Sequence, residues 1–190
     1  MKKSAPIFLL LLCLLIISCK QKKTADEPKE TFFPVLSFIK SQIAHIDTSL
    51  YSIKRIDLTD TLHFDTVYVP REEFRSLAKD FLSIPDIAEK KYSTRYTEEK
   101  IFDETLNRVI ISYKPVNIEK EEVQKQEVLI TPDPSGDKVS SLIIDYVISN
   151  KDSFLMKRML WETDKSFQVT TTAQKPGKPE ATTVLKVIWE

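Results

Sequence analysis

The sequence predicts an α+β fold, in which N-terminal helices pack on a curved antiparallel β-meander of roughly five to seven strands. Three observations predict it. From Phe32 to Leu50 and again from Phe74 to Leu82, apolar residues recur at the period of a helix buried along one side. Beyond residue 90, β-branched and aromatic residues gather in short runs instead. Those runs are punctuated at regular intervals by Pro, Gly, Asn and Asp, the residues that make tight turns.

Taken in order, Phe32, Leu36, Ile39, Ile43, Ile46 and Leu50 form one apolar stripe, with Thr31 or a neighbour as its cap and Pro34 tolerated in the first turn. Residues 51–69 alternate imperfectly, which predicts a strand or two with a turn near Asp60 and a bulge. Pro70 opens a second helix that carries Phe74, Leu77, Ala78, Phe81 and Leu82 on one face, with Glu72 and Glu73 at the positive end of its dipole. Pro85 and Asp86 start a further short helical piece.

Strand signals follow. Tyr92, Thr94 and Tyr96 alternate with polar residues, and Arg108–Tyr113 is a β-branched run that stops at Pro115. The charged stretch from Asn117 to Glu127 reads as a solvated loop or strand end, and 132–137 (PDPSGD) as a turn. Leu142–Ile148 is apolar at nearly every position, which predicts a central strand covered on both faces. Phe154–Trp161, Phe167–Thr172 and Thr182–Trp189 complete the meander.

The first two dozen residues have a different character. Lys2 and Lys3 precede an almost unbroken apolar run from Ala5 to Ile17, and Ser18, Cys19 and the polar Lys20-Gln21-Lys22-Lys23 follow. This is the pattern of a cleaved secretory signal, and the run is shorter than the roughly 20 residues of a membrane span. Ile16-Ile17-Ser18-Cys19 resembles the lipobox of bacterial lipoproteins. The resemblance is confined to residues 1–19. It implies cleavage before Cys19, acylation of Cys19 with palmitate-like chains, and anchoring to an envelope membrane. Lys20 differs from the aspartate that retains such proteins in the inner membrane of enterobacteria, which points to the outer membrane and the periplasm. The expected organisation is a signal peptide at 1–18, a lipidated cysteine and flexible tether at 19–30, and one α+β domain at 31–190.

Removing the first 18 of 190 residues leaves 172, enough for one proper core. The 28 basic and 28 acidic residues become 26 and 28 once Lys2 and Lys3 are lost, a net charge of about −2 that gives no reason to expect nucleic acid. Cys13 and Cys19 are the two cysteines, so the mature domain has none for a disulfide, thiolate ligand or nucleophile. Two glycines, Gly136 and Gly177, cannot build a phosphate-binding loop. No cofactor is expected.

Candidate chemistry is sparse. His63 and Asp65 share a strand face near Asp57 and Asp60, but the spacing matches neither a zinc motif nor a calcium loop. His45 and Asp47 lie on the polar side of the first helix. The pairs Glu72-Glu73, Glu98-Glu99 and Glu121-Glu122 are sequence neighbours whose side chains diverge, unlike a glycosidase pair. The aromatic set Tyr146, Phe154, Trp161, Phe167 and Trp189 is first of all core material. A sheet with helices on one side also creates apolar grooves, and Tyr146, Trp161 and Trp189 are the residues expected to line one for an acyl chain or an extended peptide. The functional expectation is a non-enzymatic, lipid-anchored module that binds an envelope protein. The alternatives are a lipid or lipoprotein carrier and, behind it, a hydrolase or metal enzyme.

Overall fold

The computed structural model describes residues 31–60, 63–150 and 153–190, and the side chains of these except 59, 60, 63 and 64. The expected secretory signal, Cys19 and the expected tether lie outside the described residues, as does the His63 side chain.

Helix α1 (Val35–Thr48) starts directly after Pro34, where a missing amide hydrogen costs nothing. It buries Val35, Ile39, Ile43 and Ile46, spaced by four, four and three. Its end is set locally: Ser49 is extended, and both its amide and its hydroxyl donate to the Ile46 carbonyl. Leu50, expected to continue the stripe, therefore falls beyond the helix and is 96% exposed.

The hairpin of β1 (Ile53–Asp60) and β2 (His63–Tyr68) follows, with β1 ending at Asp60, where the sequence predicts a turn, and a register shift between Leu58 and Asp60. Pro70 then leads into α2 (Arg71–Leu77) and α3 (Lys79–Ser83), which break at Ala78. The expected helical piece after Pro85 is a turn leading to a single 3₁₀ turn at Lys90–Tyr92. Seven more strands complete the chain. These are β3 (Tyr96–Asp103), β4 (Arg108–Pro115), β5 (Val123–Thr131), β6 (Lys138–Asn150), β7 (Ser153–Glu162), β8 (Ser166–Gln174) and β9 (Ala181–Trp189).

Among the described residues there is one nine-stranded sheet, ordered β2-β1-β9-β8-β7-β6-β5-β4-β3 and antiparallel throughout. From β3 to β9 each strand pairs with its successor, and β1 then joins β9. The connection from β2 to β3 consequently links the two edges of the sheet, and it contains α2 and α3. Asp164, at φ 57°, makes the left-handed turn between β7 and β8 that Asp tolerates better than branched residues do.

Register sorts the strand residues onto two faces. Trp189, Val187, Phe167, Val169, Trp161, Met159, Leu142, Ile144 and Val128 stand on one, all buried. The helices supply Ile39, Ile43, Phe74, Ala78 and Phe81 to the same core. Lys157, on that face of β7, donates to Asp80 of α3 at 2.6 Å, so a polar tie joins helix and sheet beside the apolar one.

The broad expectation of an antiparallel sheet with few helices holds, and two of its details do not. Nine strands replace five to seven, because residues 53–68 form a full hairpin on the far edge and the charged stretch after Asn117 contains the start of β5. Nor do the helices form an N-terminal block, since β1 and β2 intervene between α1 and α2. The apolar run in β6 also misleads: Leu142 and Ile144 are fully buried, whereas Ile143 and Val147 on the other face are half-exposed. An antiparallel sheet needs cover on one face alone.

Candidate functional site

The residues expected to line a groove do not stand together at one. Trp161 is 0% and Trp189 2% exposed. Trp161 stacks on Phe167 with centroids 5.4 Å apart and an interplanar angle of 17°. Phe74 of α2 meets Trp189 edge-on at 5.2 Å, and Phe81 of α3 meets Trp161 at the same distance. Tilted and edge-to-face rings at these separations are favourable, and the helices close over them. Both indole N–H groups are buried without a hydrogen-bond partner, a cost of about 1–3 kcal/mol each. Burial of two large rings offsets it. Clefts at the β6–β7 and β8–β9 turns, beside Ile118, and on α2–α3 are lined by other residues.

Tyr146 shares the helix-covered face but sits four residues along β6 from Leu142, the partner of Trp161. That is about 13 Å away. It is half-buried, and its hydroxyl donates to Glu122 Oε2 at 2.6 Å. Desolvation, and then the neighbouring carboxylate, push its phenol up to about 12. Phe154 lies on the opposite face and lines the cleft at the β6–β7 and β8–β9 turns.

Near Tyr146 is a polar cluster that sequence reasoning missed. Arg95 donates to both oxygens of Glu121, at 2.6 and 2.7 Å, and its guanidinium carbon lies 4.8 Å from the Tyr92 ring centre. The Glu121 side chain is 7% exposed and the Arg95 side chain 43%, so a buried carboxylate is neutralised by a cation reaching in from solvent. Tyr96 donates to the Val123 carbonyl at 3.1 Å. Desolvation and Glu121 hold its phenol well above the usual range. The hidden signal was the Glu121-Glu122 pair: Glu122 is exposed and accepts from Tyr146, whereas Glu121 is buried against Arg95.

The face of the sheet opposite the core carries no helix among the described residues. Its aliphatic side chains stand in cross-strand pairs: Ile101 with Ile110, Ile110 with Leu129, Ile143 with Leu160, and Val147 with Met156. Ile101 and Met156 are exposed, and the others are half-buried. Ion pairs stand between them: Lys114 with Glu99 at 3.2 Å, Lys125 with Glu127 at 2.8 Å, and Arg158 with Asp145 at 3.9 Å. Alternating apolar and charged patches of this kind belong to an accessible face, not to a second core.

Among the described residues, the candidate histidine and acidic side chains do not converge. His45 is exposed with its ring against Tyr51 at 6.1 Å. Among the described residues no three His, Cys, Asp or Glu side chains are grouped to hold a metal ion. The chain matches no protein-family model, no curated protein and no solved structure.

Proposed function

We propose that this is a lipid-anchored, non-enzymatic binding module of the bacterial cell envelope, which presents the helix-free face of its sheet to a protein partner. The observation that carries the reading is the one-sided closure of the sheet. Helices and aromatic rings enclose one face, while the other leaves paired aliphatic side chains half-exposed between ion pairs. Accessible aliphatic pairs interleaved with ion pairs offer a partner both apolar and charged contacts, the mixture found at protein interfaces that form and dissociate. The anchor rests on the lipobox-like Ile16–Cys19, and the outer membrane is its proposed location, with the domain in the periplasm.

Two measurements test it. Replacing Cys19 with serine should release the protein from membranes in cell fractionation, and unchanged membrane association would remove the lipoprotein part. Native mass spectrometry of the domain, purified without detergent, should give the bare chain. A stoichiometric lipid-sized adduct would instead favour the carrier alternative, in which α2 and α3 would have to lift from Trp161 and Phe167 to admit an acyl chain.

A further inference from the structure

One end of the sheet gathers features that the binding face does not use. Val116 and Ile118, between β4 and β5, are 66% and 65% exposed. Their segment is held firmly: the Val116 amide donates to the Arg95 carbonyl at 2.8 Å, and the Asn117 side chain accepts from the Glu119 amide at 3.1 Å. The Gln124 side chain donates to the Ile118 carbonyl at 2.9 Å. Two large apolar side chains are thus fixed outward on a built loop, with no rearrangement needed to bury them. Ile118 and Ser149 line one cleft, and Asn150 lines the next with Ser153, Lys175 and Lys178, so the three turns at this end lie side by side.

The chain joins its domain at the same end. The Phe33 amide donates to the Tyr113 hydroxyl at 2.9 Å, and the Phe32 ring lies 4.9 Å from the Tyr113 ring. Tyr113 is three residues before Val116 on the same strand, about 10 Å along it. From Cys19 to Phe33 the fourteen residues span at most about 50 Å, whatever their conformation.

We propose that this end of the domain rests on the lipid bilayer that holds the anchor, with Val116 and Ile118 inserted among the headgroups. The inference rests on the lipoprotein reading above. A domain held within 50 Å of a bilayer meets it at high effective concentration, so two apolar side chains suffice where a free domain would not bind. Charge does not drive the contact. Arg95, Lys114, Lys120, Lys175 and Lys178 are balanced by Glu99, Glu119, Glu121, Glu122 and Glu180, with Arg95 paired to Glu121 and Lys114 to Glu99, so neutral lipid serves as well as anionic. Docking in this way would set the sheet upright and leave its helix-free face open to a partner in the periplasm.

The test uses the full-length acylated protein in phosphatidylcholine vesicles. With Cys19 acylated and Cys13 removed with the signal, an introduced cysteine is the one thiol available for a polarity-sensitive dye. Dye is placed at Val116→Cys, at Ile118→Cys, and at Leu106→Cys, which is 53% exposed in the turn at the opposite end of the sheet. The expected result is blue-shifted emission and several-fold protection from an aqueous quencher at 116 and 118, not at 106, unchanged by salt or anionic lipid. Equal emission and quenching at all three positions, in protein that still floats with the vesicles, overturns the docking and leaves the anchor standing. Failure to float overturns the anchor, and the docking with it. As a check on the dye, a label at Ser149→Cys should be protected in the native loop and lose that protection in Val116→Ser/Ile118→Ser. Protection that survives the double substitution also overturns the proposal.

Discussion

The two faces of this sheet are made by the same strands, and often by adjacent residues, yet they obey different rules. Trp161 and Leu160 are neighbours on β7. One lies enclosed among Phe74, Phe81, Phe167 and Trp189, and the other is half-buried opposite Ile143 with no helix above it. On the covered face, helices turn large rings into a closed core. On the other, aliphatic pairs and ion pairs are left facing outward, where they add little stability. Alternation along a strand thus separates a closed core from an open face, which is the surface proposed above for a partner.

The widest expected gap between the faces comes from truncating those neighbours. Trp161→Ala should lower unfolding free energy by about 3–5 kcal/mol, because it deletes a fully buried ring and leaves a cavity. Leu160→Ala should cost about 1 kcal/mol. Urea unfolding monitored by circular dichroism measures both, and equal losses would erase the distinction. Arg95→Ala should cost about 1–3 kcal/mol by leaving the buried Glu121 carboxylate without its cation. Adding Glu121→Gln should restore part of that loss, and a strictly additive double variant would contradict the coupling.

Next comes a pH effect carried by two phenols of the covered face. The Tyr146 phenol is raised to about 12, against about 10 in an unfolded chain, and Tyr96 is raised as well. A group whose folded pKa is raised contributes stability that is fully present below the unfolded value and lost as pH rises through the folded one. Stability should therefore fall between about pH 10 and pH 12, and Tyr146→Phe should flatten part of that fall in denaturant titrations. The smallest effect belongs to the open face: Glu99→Gln breaks the exposed pair with Lys114 and should change stability by less than about 1 kcal/mol, with little salt dependence left.

Much of the covered face was legible in the sequence, and the reasons are physical. Ile39, Ile43 and Ile46 keep helical spacing, and the strand runs at 108–113, 154–161, 167–172 and 182–189 stand where β4, β7, β8 and β9 form. What escaped depended on partners distant in the chain. β1 and β2 join a sheet edge only because β9 arrives beside them more than a hundred residues later. Glu121 looks like surface charge until Arg95 is brought to it by the β3–β5 arrangement. Leu142–Ile148 looks like a strand covered twice because composition alone cannot say whether a second layer exists above Ile143. The candidate groove divided for the same reason: both tryptophans went to the core, and Tyr146 went to Glu122.

The most direct test of the account is photo-cross-linking in cells from the two kinds of surface. A photoreactive residue is placed at Met156 or Ile101 on the helix-free face, and at Lys40 or Glu73 on the outer sides of α1 and α2, in the full-length chain. The account predicts an adduct of one discrete mass from Met156 and Ile101 and none from the helix positions. Adducts from the helix positions alone, or none from either sheet position, would contradict it.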